Sequence, residues 1–221
     1  MRDDPLTRAR NHQPRIFESV FLGNLSDPSA SFMHSKEFKL GSTWSAEAEL
    51  RLLGGIRIRP IRPEDAALYR DFASHVTMDD RRRRFFGRGP DLTPAALARL
   101  TQIDHQREMA FVAIDEKVPA LLGVGRMICD AEVVDAEFAI LVRSDLQGRG
   151  LGSALMSQLV SYGHATGLTQ LHGSVLAENG NMLRLARKVG FEITNGTDPG
   201  VLRLSLAYPT HPKAPSSASV S

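Results

Sequence analysis

The chain has 221 residues, enough for one domain of ordinary size with further residues beyond it. Its hydrophobic fraction of 42% and charged fraction of 24% are typical of a soluble globular protein, and a net charge of +2 argues neither for nor against a polyanionic partner. Cys129 is the only cysteine, which excludes an internal disulfide and a cysteine-rich zinc site.

The two ends of the chain differ from its middle. Residues 1–55 show no clear pattern, and we interpret them as a partly ordered N-terminal extension. Within it, Ser45 and the following AEAELRLL predict a short helix that ends at Gly54 and Gly55. Residues 209–221 are rich in proline and serine, which predicts a disordered tail. The folded domain is therefore expected to span residues 56–208.

No targeting or membrane segment is recognisable in the sequence. Residues 1–10 are charged and lack the apolar core of a signal peptide. No apolar run reaches the roughly 20 residues that a membrane-spanning helix needs. We therefore expect a cytoplasmic protein without a membrane partner.

Residues 56–208 predict alternating strands and helices. A half-buried strand is expected at 56–61 (IRIRPI), and helices are expected to begin at Pro63, near Met78 and at Thr93. The remaining elements are strands at 109–114, 121–129 and 133–142, a helix at about 150–164, a strand at 171–176, a helix at 179–189 and a strand pair at 191–194 and 201–206. A turn at 115–117 predicts a hairpin, and the whole order predicts a mixed α/β sheet.

A glycine-rich loop lies between the strand ending in FAILV and the helix that follows it. Its sequence is Gln147-Gly148-Arg149-Gly150-Leu151-Gly152. The first backbone N–H groups of a helix have no partner within the helix, and the helix dipole adds partial positive charge there. Glycines let these amides approach an anion closely. The loop therefore predicts binding of a phosphate or pyrophosphate.

Two common phosphate-binding motifs fit this loop poorly. A P-loop requires a lysine followed by serine or threonine after the last glycine, and here Ser153 follows without a lysine. A dinucleotide-binding fingerprint requires G-x-G-x-x-G, whereas these glycines are spaced G-x-G-x-G.

The segment Gln147-x-x-Gly150-x-Gly152 resembles the Q/R-x-x-G-x-G/A signature with which GNAT acetyltransferases hold the pyrophosphate of coenzyme A. The strand before it, the helix after it and the later pair Gly190-Phe191 agree with this resemblance, which covers about residues 56–206. It implies a GNAT fold of the α/β (α+β) class, with a mixed, mostly antiparallel twisted sheet and helices on both faces. It also implies acetyl-CoA as co-substrate.

A narrower resemblance concerns the acceptor. MDDRRRRFFG, IDHQREMAFVAI, EFAILVRSDLQGRGLG and ENGNMLRLARKVGF together resemble the acetyltransferase domain of bacterial Pat-type protein lysine acetyltransferases. The resemblance implies a protein lysine as the acceptor of the acetyl group. Direct transfer is expected because Cys129, the only thiol, lies on a strand well before the cofactor loop. Two alternatives remain open, namely an acetyltransferase for small amines and an acyl-CoA-sensing module without turnover.

Glu137 is the candidate general base. Deprotonating a lysine with a pKa near 10.4 at neutral pH costs on the order of 4 to 5 kcal/mol, and a nearby carboxylate can accept the proton. Glu137 opens an apolar run, where a carboxylate is costly unless it has a partner or a function. Related protein acetyltransferases use a glutamate on this strand as the base. A merely solvated Glu137 is the alternative, and Glu132 would then be the second candidate.

The resemblance also implies which residues bind acetyl-CoA. Backbone groups of Leu141 and Val142 would pair with the pantetheine arm, and Asn179, besides capping its helix, would contact the same arm. The full expected set is Leu141, Val142, Gln147, Gly148, Arg149, Gly150, Leu151, Gly152, Ser153 and Asn179. Many GNAT enzymes place a tyrosine, which donates a proton to the leaving thiolate, where this chain has Ala186. In this chain a water or another hydroxyl would have to donate that proton.

Two further features are interpreted as structural. The run Arg81–Arg84 cannot point one way on a helix; Arg81 and Arg84 share a face, and one arginine of the run could contact the cofactor or an acidic substrate. We expect no nucleic-acid partner, since no basic stripe with aromatic residues accompanies the run. His172 is expected to be a packed histidine in a strand, and no metal site is expected.

Overall fold

The computed structural model describes residues 50–52, 55–87 and 89–209, which form an eight-stranded sheet and five α-helices. The strands are β1 (Leu50–Leu52), β2 (Ile56–Pro60), β3 (Glu108–Asp115), β4 (Ala120–Cys129), β5 (Asp135–Val142), β6 (Gln170–Leu176), β7 (Glu192–Asn195) and β8 (Val201–Ala207). The helices are α1 (Ala66–Ser74), α2 (Met78–Phe85), α3 (Pro94–Thr101), α4 (Leu151–Thr166) and α5 (Gly180–Val189). None of these helices is long and apolar enough to cross a membrane.

The strand order in the sheet is β1-β2-β3-β4-β5-β6-β8-β7. Neighbouring strands are antiparallel except β5 and β6, which are parallel and are joined through α4. A parallel pair requires such a crossover, because a tight hairpin can join only antiparallel strands. The predicted fold class, a mixed and mostly antiparallel sheet, is confirmed.

Helices cover both faces of the sheet and divide the core in two. Leu151, Leu155 and Leu159 of α4 pack on one face against Phe111 and Phe138. Tyr69 and Phe72 of α1 and Leu100 of α3 pack on the other face against Val112 and Val124. The side chains of β5 alternate between the two faces, as the period of a strand requires.

The helix ends follow the chemistry of their terminal residues. Thr77 and Thr93 cap α2 and α3, each accepting a hydrogen bond from the backbone N–H three residues later. Gly167 and Gly190 end α4 and α5 in the left-handed conformation, with φ of 76° and 101°. The glycine ends predicted for these two helices are confirmed.

Two local predictions are wrong. Leu50–Leu52 form strand β1 rather than part of a helix, because their backbone pairs with β2; the rest of that predicted helix lies outside the described residues. The strand expected from Val133 begins at Asp135. Val133 has a φ of 55°, and the Asp130 carboxylate accepts the Val134 N–H, so a turn occupies these residues instead.

A truncation tests the boundary at residue 55. A chain beginning at Gly54 lacks β1, whereas one beginning at Glu49 keeps it. We expect both to fold and to transfer acetyl groups at the rate of the full chain, because β1 is a three-residue edge strand and contacts β2 alone among the strands. Circular dichroism and an acetyl-transfer assay would check this. An insoluble or unfolded Gly54 chain would show that the extension completes the core.

Candidate functional site

The glycine loop lies between the end of β5 and the N-terminus of α4. Gly148 and Gly150 have φ of 76° and 92°, a region that side chains disfavour. A Cβ at either position would meet no atom within 4 Å, so backbone conformation and not crowding calls for glycine. No side chain caps α4 at Gly150. The first amides of a 16-residue helix thus remain available to an anion.

The strands β5 and β6 separate next to this loop. Their register covers only Asp135–Glu137 against Gln170–His172. Beyond Glu137 the backbone of β5, which includes Leu141 and Val142, is no longer paired with β6. The edge of β5 therefore offers backbone donors and acceptors to an extended ligand, as a sheet edge does for an added strand.

A cleft of about 490 Å³ occupies this opening. Most of the residues predicted from sequence line it, namely Glu137, Leu141, Val142, Gln147, Gly148, Gly150, Gly152, Ser153 and Asn179. Arg149 and Leu151 do not line it. The Arg149 side chain is exposed and that of Leu151 is buried in the core, which leaves only the backbone of Leu151 for a ligand.

Residues of α2 and α5 complete the cleft, and no local sequence pattern identifies them individually. From α2 come Asp80, Arg83 and Arg84. From α5 come Asn181, Met182, Arg184, Leu185 and Lys188, which share one face of the helix. One arginine of the run 81–84 was expected to be able to contact the cofactor or an acidic substrate. Two of them, Arg83 and Arg84, line the cleft.

The charge of the cleft is positive. Its basic side chains are Arg83, Arg84, Arg184 and Lys188, and its acidic ones are Asp80 and Glu137. An excess of two positive charges at a helix N-terminus favours an anionic ligand. Within the described part of the chain, no group of three or more His, Cys, Asp or Glu side chains is placed to hold a metal ion.

Asp80 fixes the glycine loop to α2. Its carboxylate accepts hydrogen bonds from the hydroxyl groups of Ser144 and Thr77. Although burial acts in the opposite direction, hydrogen bonds from Ser144, Gln147 and Thr77 lower the pKa of Asp80. On the other side, the Asn181 amide donates to Gln147 Oε1 over 3.3 Å. The loop is therefore held between α2 and α5 before any ligand binds.

Glu137 lies where the two strands begin to separate. In the sheet it stands between Ile128 of β4 and His172 of β6. Burial raises the pKa of Glu137 from an ordinary 4.5 to about 7, against the opposing effect of Arg84 and Arg203. A carboxyl group with this pKa can accept a proton at neutral pH. Glu132, by contrast, is exposed in the turn before β5 and does not line the cleft.

Other reactive groups stand in different environments. Cys129 is half-buried at the end of β4, outside the cleft, and burial raises the pKa of its thiol to about 11. Ala186, the position at which a proton-donating tyrosine was considered, is fully buried in the core. The hydroxyl side chains that line the cleft belong to Ser153 and Ser174. His172 is half-buried rather than enclosed, and burial lowers its pKa.

Comparison with known proteins gives one consistent family. Residues 56–192 match the family described as Acetyltransferase (GNAT) domain. An acetyltransferase of Pseudomonas aeruginosa is 33% identical over 138 residues, which cover 62% of this chain and 74% of that protein. The acetyltransferase Pat of Mycolicibacterium smegmatis is 27% identical over 135 residues, 60% of this chain; the match spans only 40% of Pat. The GNAT domain of S. lividans PAT superposes with a TM-score of 0.67 at 26% identity, covering 73% of this chain and 98% of that domain.

Proposed function

The chain belongs to the GNAT acetyltransferase family, whose members use acetyl-CoA as donor, and we propose that it acetylates lysine side chains of proteins. We further propose that transfer is direct, within a complex that holds donor and acceptor together. The observation that carries the proposal is that Glu137, with its raised pKa, lines the same cleft as the glycine loop.

The cleft fits acetyl-CoA in shape and in charge. The amides of Leu151, Gly152 and Ser153 would hold the pyrophosphate at the start of α4. The unpaired edge of β5 at Leu141 and Val142 would pair with the pantetheine arm, near Asn179. When bound, acetyl-CoA supplies an acetyl group activated as a thioester. Direct transfer is favoured because Cys129 lies outside the cleft and its thiol resists ionisation.

Glu137 would act on the acceptor. A lysine is protonated at neutral pH, and its nitrogen attacks only after it has lost a proton. Glu137 would accept that proton, directly or through a water molecule, and Arg84 and Arg203 would stabilise its charged form. Ala186 provides no hydroxyl, so the proton for the departing thiol would come from water or from a cleft hydroxyl such as that of Ser153 or Ser174.

An open sheet surface beside Glu137 supports a protein acceptor. His172 is the register partner of Glu137, so Ser174, two residues later, lies on the same side of the sheet. Ser174, Arg203 and Thr194 are aligned across β6, β8 and β7, and all three are exposed. A polar, uncovered row of this kind accommodates the surface around a lysine. The similarity to Pat proteins points in the same direction.

A transfer assay separates a protein acceptor from a small amine. Purified protein would be incubated with radiolabelled acetyl-CoA and either a panel of proteins, including acetyl-CoA synthetase, or a panel of polyamines, amino acids and aminoglycosides. We expect label on lysines of at least one protein, and label that accumulates at least roughly a hundredfold more slowly when Glu137→Gln replaces the native chain. Efficient labelling of small amines alone would refute the protein acceptor and leave the acetyltransferase assignment intact.

A further inference from the structure

A second, smaller cavity adjoins the cleft on the side of the sheet covered by α1, α2 and α3. This side cavity has a volume of about 70 Å³ and lies among Tyr69, Ala73, Arg81, Arg84, Leu100 and Arg126. Arg84, Ala139 and Leu141 line both the side cavity and the cleft. The side cavity is therefore adjacent to the part of β5 that carries Glu137.

A tyrosine hydroxyl in the wall of the side cavity lacks a proper partner. Tyr69 is 5% exposed, and its hydroxyl lies near the Arg126 guanidinium without a hydrogen bond of normal geometry. Burial raises the pKa of Tyr69, so the hydroxyl keeps its proton at neutral pH and remains a donor. Buried hydroxyl groups are rarely left unsatisfied, and one that lines a cavity next to a reaction site suggests a ligand.

The charges around the side cavity favour an anion. Its wall contains Arg81, Arg84 and Arg126 and, within the described residues, no acidic side chain. Arg126 pairs with Glu108 and donates to the Leu100 carbonyl, and Arg81 donates to the Ala73 carbonyl. Burial, with the charge of Arg126, lowers the pKa of Arg84 to about 10, against the opposing effect of Glu137 and Tyr69. A guanidinium has five N–H donors. The contacts named here use only some of those of Arg81 and Arg126, so donors remain for a ligand.

We propose that the side cavity binds a carboxylate that one of the two substrates carries close to its reacting group. The inference rests on the proposed function, because it places the carboxylate beside the site of transfer. A volume of about 70 Å³ equals that of roughly two water molecules at about 30 Å³ each, which suits a carboxymethyl-sized group. The carboxylate has two possible sources: a donor with a dicarboxylic acyl chain, such as succinyl-CoA, or an acidic side chain next to the acceptor lysine.

Calorimetry on the full chain distinguishes these sources without requiring turnover. The donor arm compares succinyl-CoA with butyryl-CoA, which has a chain of similar length without the carboxylate, and includes acetyl-CoA as reference. The acceptor arm compares lysine peptides with a neighbouring Glu or Gln, added in the presence of coenzyme A. Each titration is repeated on Tyr69→Phe, which removes only the hydroxyl, and on Ala73→Leu, which fills the side cavity.

We expect the carboxylate-bearing member of one pair to bind about tenfold or more tightly than its partner, the usual effect of a hydrogen bond to a charged group. Both substitutions should abolish that preference and leave the affinity for acetyl-CoA unchanged. Equal affinities within both pairs, or a preference that survives both substitutions, would overturn the inference while the proposed function stands. Failure of acetyl-CoA to bind the native chain would overturn both.

Discussion

Replacing Glu137 by Gln should lower the rate of acetyl transfer by roughly 10² to 10⁴, the usual contribution of a positioned acid or base. The substitution keeps the size of the side chain and removes its ability to accept a proton. Affinity for acetyl-CoA should change little, because the loop and the edge of β5 would hold the cofactor through backbone groups. Single-turnover kinetics with a defined acceptor would measure the rate, and calorimetry the affinity.

The pH dependence identifies the group responsible. Because the pKa of Glu137 is raised to about 7, its charged, proton-accepting form increases as the pH rises from 6 to 8, and the native rate should rise with it. The Glu137→Gln rate should lack this inflection and should recover partly at high pH, where more of the acceptor amine is already neutral. Glu132→Gln is the matched control, since Glu132 is exposed outside the cleft. Near-native turnover of Glu137→Gln at neutral pH would refute the assignment.

The same substitution should stabilise the fold at neutral pH. The pKa of Glu137 is 4.5 in the unfolded chain and about 7 in the folded one. The contribution of this group to the free energy of unfolding is therefore fully present below pH 4.5 and is lost as the pH rises through 7. The difference between these two pKa values corresponds to a change of about 3 kcal/mol at most in the free energy of unfolding. Glu137→Gln should thus melt at a higher temperature than the native chain at pH 8 and at a similar temperature at pH 4.5. A carboxylate kept at such a cost is typical of a catalytic position.

Local patterns in the sequence were enough for the glycine loop and for most elements around it. A strand, a loop with glycines and an amphipathic helix follow one another directly within residues 135–166, and Glu137 could be identified because a charge within an apolar run is costly. The predicted start of β5 is wrong because a hydrogen bond from the Val134 N–H to the Asp130 carboxylate, four residues earlier, holds a turn there. Leu50–Leu52 were misassigned because pairing with β2 overrides their local helical preference.

The far walls of the cleft required the tertiary structure. Asp80 of α2 and Asn181 of α5 are about a hundred residues apart and meet only through Gln147, so no local pattern connects them. Arg84 shares a face with Arg81, as the helical period predicts, and both line the side cavity. That Arg84 also lines the cleft follows from how α2 lies across β5, which the sequence does not specify.

Replacing Gly150 by Asp should strongly weaken acetyl-CoA binding, and Gly150→Asn separates the effect of charge from that of shape. The two side chains have the same size and share the backbone strain of the positive φ of 92°, so that strain cancels in the comparison, and a Cβ at this position meets no atom within 4 Å. The Asp carboxylate would interact favourably with the start of α4, so the fold should survive.

The aspartate would weaken acetyl-CoA binding because it occupies the place of the pyrophosphate and repels it. Two like charges about 4 Å apart near a protein surface repel by about 4 kcal/mol, so the affinity of Gly150→Asp should fall by roughly 10² to 10³ relative to Gly150→Asn. Calorimetry at low and high salt would measure both variants, and the gap should narrow as salt screens the repulsion. Equal affinities in the two variants would mean that no phosphate lies at this loop, and the cofactor would have to be placed elsewhere in the cleft.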